Sequence, residues 1–190
     1  MILTKIGETL LESELLERAI PRVRLRRSVE KEKAAYIAGF LDGDGCIMLQ
    51  LIYRKDYLLG YQIRASIVFY QKQQNRYYLE WLKQKLGDGY IRNRGDGMSE
   101  YTIVGIQSVR RILEMLKPYL VLKRKHVKVA LYVLEKMPGT GRQMRPEVLL
   151  KLAKYVDKFA TLNYSKKRTN TSKEVTRFLL SHKLLRSRRD

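Results

Sequence analysis

Two carboxylates, Asp42 and Asp44, close the stretch Ile37-Ala38-Gly39-Phe40-Leu41-Asp42-Gly43-Asp44-Gly45. The stretch reads as the last turns of a helix that stops abruptly. Gly43 and Gly45 give permissive backbone on both sides of Asp44, so its carboxylate can project from the helix tip instead of lying along it. Ala35, Ala38, Gly39 and Asp42 recur at i, i+3, i+4 and i+7 and share one helix face. Three of these four are small, which suits a second helix approaching backbone to backbone and gives nothing to a lone surface helix. An acidic glycine turn by itself is ordinary. Small residues and acids agreeing at fixed spacing are more specific.

The elements that must hold this acid belong to a strongly basic chain. Its 190 residues suit one domain with short extensions, and such a size buries about 70% of its unfolded surface without needing a staple. Hydrophobic content of 45% indicates a globular chain. Thirty-nine Lys and Arg against nineteen Asp and Glu give a net charge of +20, a field that attracts polyanions, nucleic acid first among them. The single Cys46 excludes an intrachain disulfide and a zinc cluster and suits a reducing compartment. His126 and His182 stand far apart, without Cys or carboxylates at ligand spacing. The first sixteen residues are broken by Lys5, Glu8 and Glu12 and do not read as a signal peptide. No run reaches the roughly 20 apolar residues of a membrane span, so an intracellular location is expected.

Residues 7–20 place Leu10, Leu11, Leu15 and Leu16 on one helical stripe ended by Pro21. Arg22 to Arg27 then read as a basic arm leading into the motif helix near Glu30, placed either as a solvated linker or against the minor groove or flanking phosphates. After Asp44 the chain alternates. Ile47, Leu49, Leu51 and Tyr53 oppose Met48, Gln50, Ile52 and Arg54; Tyr61, Ile63, Ala65, Ile67 and Phe69 oppose Gln62, Arg64, Ser66, Val68 and Tyr70. This predicts a hairpin with one apolar and one hydrogen-bonding face. A plain solvated sheet has the same period, but Gln and Arg are the side chains that read base edges bidentately from a ribbon in the major groove. A helix over 74–86 follows, then a second hairpin (90–94 and 100–104) with Arg92 and Arg94 on one face. Helices are predicted over 108–116, 123–137, 146–162 and 172–183. Between the last two, residues 163–172 form a loop rich in cations and hydroxyls whose composition suits phosphate.

The nine-residue stretch resembles the LAGLIDADG motif of homing endonucleases position for position, with conservative changes only. Residues 30–185 carry further echoes in the family's order: Gln71-Lys72, Gly87 to Arg92, Leu120 to Lys123, and Leu162-Asn163 before the basic loop. They most resemble the single-motif, homodimeric, intron-encoded branch. The resemblance implies an α+β fold, αββαββα, with an antiparallel saddle-shaped DNA-binding sheet and additional C-terminal helices. Residues 1–29 form an N-terminal helix and basic arm outside that core, and 186–190 a basic tail. No second copy of the motif occurs. The resemblance therefore implies a C2 homodimer with a pseudo-palindromic DNA target, its interface built on Ala35, Ala38, Gly39 and Asp42.

The same resemblance implies double-strand cleavage of DNA by divalent-metal-dependent phosphodiester hydrolysis. Asp44 matches the essential metal ligand, with the Gly43 carbonyl beside it; Mg²⁺ is the implied ion, with Mn²⁺ as a substitute and Ca²⁺ supporting binding without cleavage. Gln71 matches a polar residue that orders solvent, and Lys123 a basic residue that activates water or stabilises the charged transition state. Asp42 takes capping and interface work. Where close relatives place an arginine after the second strand, this chain has Asn75, followed by Arg76. The implied DNA readers are Gln50, Arg54, Gln62, Arg64, Ser66, Arg92, Arg94, Glu100 and Thr102; Lys166, Lys167 and Arg168 are implied phosphate contacts. Two other functions fit the fold: an intron-RNA maturase, and a non-catalytic DNA-binding regulator. A pure binder has no use for a carboxylate held against phosphate, where it repels.

Overall fold

The computed structural model describes residues 22–138, 144–163 and 168–185, the first eight of them through their backbone. The helix expected over 7–20, the tail 186–190, and Lys166 and Lys167 lie outside these residues. The described residues begin with α1 (Arg22–Asp44), which passes directly into β1 (Gly45–Tyr53). There is no room for a side chain at this junction, since a Cβ on Gly45 would meet Leu41 Cδ1 at 2.5 Å and the Leu41 Cα at 2.9 Å. β2 (Tyr61–Lys72), a 3₁₀ turn (Gln73–Asn75) and α2 (Arg76–Leu86) come next, then β3 (Tyr90–Asn93), β4 (Met98–Val104) and α3 (Ile106–Leu116). This is the expected αββαββα order. It is followed by α4 (Arg124–Lys136), α5 (Pro146–Leu162) and α6 (Ser172–Ser181).

One expectation is corrected at the start. Arg22 to Arg27 are not an arm leading to a helix near Glu30 but the first turns of α1 itself. Pro21 precedes them, and proline is favoured at helix starts as well as being a terminator.

The sheet is antiparallel throughout, in the order β1-β2-β4-β3. Gly45 pairs with Phe69 and Tyr53 with Tyr61; Ser66 pairs with Val104, Val68 with Thr102, and Arg92 with Glu100. The alternation read from the sequence fixes the two faces. Ile47, Leu49, Leu51, Ile63, Ala65, Ile67, Phe69, Tyr101 and Ile103 point to one side and are buried. α1, α2, α3 and α5 pack on that side and close the core with Leu41, Leu79, Leu82, Ile112, Leu113, Leu152 and Phe159. Apolar burial of this kind contributes roughly 1.5–3 kcal/mol per large side chain, so the sheet is anchored from one face and left free on the other.

Candidate active site and nucleic-acid face

The two motif acids have opposite fates. Asp42, on the inner side of α1, is buried. Its carboxylate accepts the backbone N–H groups of Val121 (2.6 Å), Leu122 (3.0 Å) and Lys123 (2.9 Å). Lys123 is the N-cap of α4, so Asp42 binds the N-cap N–H and the two before it, close to a helix N-terminus where a carboxylate is favoured by the helix dipole. Burial works against the charged form, yet the three N–H bonds and the Lys123 charge together hold Asp42 below its ordinary value. Asp44 is exposed, and no hydrogen bond or ion pair engages it among the described residues.

Lys123 stands at the same place. Its ammonium donates to the Asp42 carbonyl at 2.6 Å, and its charge is felt at Cys46, whose thiol burial otherwise pushes up. Gln71 arrives from β2: since Gly45 pairs with Phe69, Gln71 extends two residues beyond, at the end of the sheet where Asp44 leaves the helix. Its Oε1 accepts from Asn75 Nδ2 at 3.3 Å. Arg76 is committed elsewhere, to Glu80 (3.0 Å) and Asn93 (2.5 Å), so Asn75 and not Arg76 is the neighbour of Gln71. Gln71 and Lys123 thus reach the end of the fold where α1 closes in Asp44, one from β2 and one from the start of α4.

The open sheet face carries Gln50, Gln62, Arg64, Arg92 and Arg94, all at least partly accessible. Arg64 donates to Gln50 at 2.9 Å across the β1–β2 pair. Arg54 lies past the end of β1 and forms a bidentate pair with Asp56. Three of the expected readers are covered within the chain. Ser66, Glu100 and Thr102 lie on this face but are buried, at 3%, 6% and 7% exposure. They sit on the two central strands, where longer neighbours cover them. Glu100 accepts from Arg92 at 2.6 Å and from Thr102 Oγ1 at 3.3 Å, with Arg94 at 3.8 Å. Its carboxylate thus holds both arginines. Arg94 also lies over the Tyr70 ring, 5.8 Å from its centroid.

Arg168, expected to contact phosphate, is paired within the chain. It is an internal strut, 3.0 Å from Asp157 of α5 and largely covered, while the other oxygen of Asp157 takes the Ser172 N–H at the start of α6. Asn163 and Asn170, which residue type and spacing did not single out as functional, donate to the carbonyls of Ile47 (2.9 Å) and Leu51 (3.0 Å) on β1. Nothing in the sequence says that β1 is an edge strand with free carbonyls, so the signal for these two was absent.

The expected interface face divides. Ala38 is fully buried and Asp42 nearly so, both covered by their own chain. Ala35 and Gly39 are exposed, as is Gly43 one turn on. A side chain at Gly39 or Gly43 would meet nothing within 4 Å. Val121 and Leu122, beside the motif end, are 67% and 73% exposed.

Among the described residues no group of three or more His, Cys, Asp or Glu comes together. Asp44 offers one accessible carboxylate with the accessible Gly43 backbone beside it. That donor set fits Mg²⁺, which binds through one or two carboxylates together with water and substrate phosphates.

The chain matches the LAGLIDADG endonuclease family model over residues 37–134. It is 43% identical over 143 residues to the DNA endonuclease I-CvuI of Chlorella vulgaris, covering 75% of this chain and 87% of that protein. It is 36% identical over 145 residues to the DNA endonuclease I-CreI of Chlamydomonas reinhardtii, covering 76% and 87%. The solved structure of I-CvuI with its DNA target and calcium aligns with a TM-score of 0.77 at 40% identity, over 81% of this chain and 96% of that one. I-CvuI has also been solved with magnesium on an uncleaved I-CreI target. Motif, strand order and relatives agree: the chain belongs to the LAGLIDADG endonuclease family.

Proposed function

We propose that the chain is a site-specific homing endonuclease. Two copies related by a two-fold axis would straddle a long duplex target and each would cut one strand. The observation that carries this reading is the contrast between the two motif acids. Asp42 is spent on structure, whereas Asp44 is left exposed with its carboxylate unengaged, two residues from the carbonyl that takes the Lys123 ammonium. An isolated carboxylate facing a phosphate backbone is repulsive unless a cation lies between them. Asp44 and the Gly43 carbonyl would hold Mg²⁺, which when bound stabilises the attacking and leaving oxygens of an in-line displacement. Lys123, fixed by the Asp42 carbonyl, supplies positive charge where the phosphate becomes more negative. Gln71, its amide oriented by Asn75, offers a donor to solvent at the same end of the sheet. Gln50, Gln62, Arg64, Arg92 and Arg94 supply side chains suited to base edges in the major groove. The open stripe of Ala35, Gly39 and Gly43, with Val121 and Leu122 exposed nearby, supports the second copy.

The test is cleavage of a sequence-randomised, supercoiled DNA library in Mg²⁺, with Ca²⁺ and EDTA as controls and sequencing of the cut ends. Cuts in both strands at one pseudo-palindromic site, lost in EDTA, are expected. Asp44→Asn should abolish cutting and keep specific binding; a variant that still cuts removes Asp44 from the mechanism.

One observation favours RNA as a second partner. Arg22, Arg24, Arg26 and Arg27 occupy the first turns of α1, roughly 25–33 Å along the axis from Asp44. This run of four arginines therefore begins far from the motif end along the helix axis. Affinity for structured intron RNA, compared between the wild type and a chain with these four changed to serine, tests the maturase reading. Equal RNA affinity of the two would dismiss it.

A further inference from the structure

α4 and α5 lie side by side and run antiparallel: His126 meets Phe159, while Tyr132, further along α4, meets Tyr155, earlier in α5. Each helix buries one stripe, with Val127, Ala130 and Val133 on α4 and Leu152, Val156 and Phe159 on α5. α5 packs against β1 from the core side of the sheet. Helix periodicity then puts Lys125 and Lys128 of α4, and Lys151, Lys154 and Lys158 of α5, on the opposite, outer side. All five are exposed. The surface they share looks away from the open sheet face.

Among the described residues no ion pair engages any of these five lysines. Acids nearby are already taken: Glu135 pairs with Lys136 and Asp157 with Arg168, each at 3.0 Å, which leaves Glu147 at the start of α5. The Tyr155 ring is occupied too, by Tyr132 with 4.6 Å between centroids and by the Lys158 ammonium at 5.8 Å. It is therefore no free platform for an unpaired base. What remains is uncompensated positive charge spread over two helix sides. Lys151 and Lys158 stand about 10 Å apart along α5, and packed helix axes lie about 8–10 Å apart. A duplex carries one phosphate charge per about 1.7 Å of its axis and sets several phosphates over such an area.

We infer that the outer face of α4 and α5 is a second, sequence-independent DNA-binding surface, by which a protein holding one duplex on its sheet holds another stretch of duplex on its back. Lysine meets phosphate as a point charge, which positions a duplex without reading it. The occupant is duplex DNA because the complementarity is one of charge alone, and because the long duplex under the sheet supplies further phosphates at high local concentration. The inference rests on DNA as the chain's partner and not on cleavage.

The test loads full-length protein, in Ca²⁺, onto beads carrying a random-sequence duplex and measures capture of a second, fluorescent duplex as salt is varied. Wild type is compared with a Lys128→Gln/Lys154→Gln/Lys158→Gln variant. A Lys83→Gln/Lys85→Gln/Lys117→Gln variant removes the same charge from exposed lysines elsewhere and is the control. The first variant should stay on the beads as wild type does but hold the second duplex roughly a hundredfold more weakly at about 0.1 M salt. Its log–log salt slope should be shallower by about 2–3, near 0.9 for each lost phosphate contact. The control should match wild type. The inference fails if loaded wild type captures no second duplex, or if the first variant captures it as well as wild type. It fails equally if both variants lose capture alike, which marks net charge and not this face. An RNA hairpin of equal length that displaces the second duplex far more readily than unlabelled DNA does makes RNA the occupant and also overturns it. Wild type that does not stay on the beads overturns the DNA-binding reading, and the inference with it.

Discussion

Asp42 and Lys123 hold each other from both directions: the carboxylate accepts the Lys123 N–H at 2.9 Å, and the Lys123 ammonium returns to the Asp42 carbonyl at 2.6 Å. The residues are 81 positions apart in the chain. The loop after α3 is thereby docked on the last turn of α1, one residue short of the Gly43-Asp44 pair. The motif's first acid thus builds the frame within which the second can act.

Removing the Asp42 carboxylate should uncouple this frame. Asp42→Ala leaves three N–H groups at the start of α4 without their acceptor, and a loss of about 2–4 kcal/mol is expected, since charged hydrogen bonds contribute about 1.5–3 kcal/mol each but do not add fully. Urea unfolding measures it. The pH dependence has a definite sign. Asp42 titrates lower in the fold than an ordinary aspartate, held there against burial by its N–H donors. Its stabilisation is therefore complete above about pH 4–5 and declines as pH falls through the ordinary aspartate range toward the folded value. Wild type and Asp42→Ala should converge in stability at the acid end; a gap that stays constant to pH 2 contradicts the assignment.

Lys123→Met should separate chemistry from binding. The aliphatic stem is kept and the charge lost, so DNA affinity in Ca²⁺ should change by less than about threefold while single-turnover cleavage falls by roughly a hundredfold, the scale found for removing one stabilising donor at a reacting oxygen. Equal losses in both measurements would make Lys123 a phosphate anchor only.

Gly39 and Gly45 should respond in opposite ways. A side chain at Gly39 meets nothing in the subunit, so Gly39→Leu should fold with little change in Tm. Analytical ultracentrifugation should then find it monomeric, against a dimer expected for the wild type. Gly45→Ala forces a methyl against Leu41, side chain and backbone alike, and should lose about 1–3 kcal/mol as an overpacked site does. A dimeric Gly39→Leu protein would remove the α1 stripe from the interface.

Glu100→Gln should loosen specificity without weakening DNA binding. Arg92 and Arg94 are aimed by the Glu100 carboxylate. With that charge gone they keep their attraction for phosphate but lose the orientation that bidentate base contact requires. Binding to a half-site library should tighten for mismatched sequences and flatten at the bases under β3. Unchanged discrimination there would assign those bases to other side chains.

Much of this architecture could be read directly. Alternation in 46–54 and 61–70 located both faces of the first hairpin, and the abrupt acid-glycine ending located the tip of α1. The start of α1 was read eight residues late, because Pro21 is equally a terminator and a helix opener and the Arg-rich stretch behind it has good helix propensity. The roles of Ser66, Glu100 and Thr102 depended on strand order. Alternation assigns a residue to a face, but only a central position in β1-β2-β4-β3 buries it beneath its neighbours. Arg168 reads as one more cation in a basic loop until Asp157, eleven residues earlier, is found against it. The three-fold grip of Asp42 joins segments some 80 residues apart and has no local signature.

The two faces of β2 also bear on how such a protein changes over generations. Gln62 and Arg64 look outward while Ile63 and Ala65 look inward, so substitutions at Gln62 and Arg64 leave the core packing untouched. Recognition and foldability are inherited on alternate residues of the same strand. A lineage carrying this sheet can follow a drifting target sequence by point substitution, without passing through unfolded intermediates. The change it tolerates least is insertion or deletion of one residue within the strand, which exchanges the two faces at a stroke.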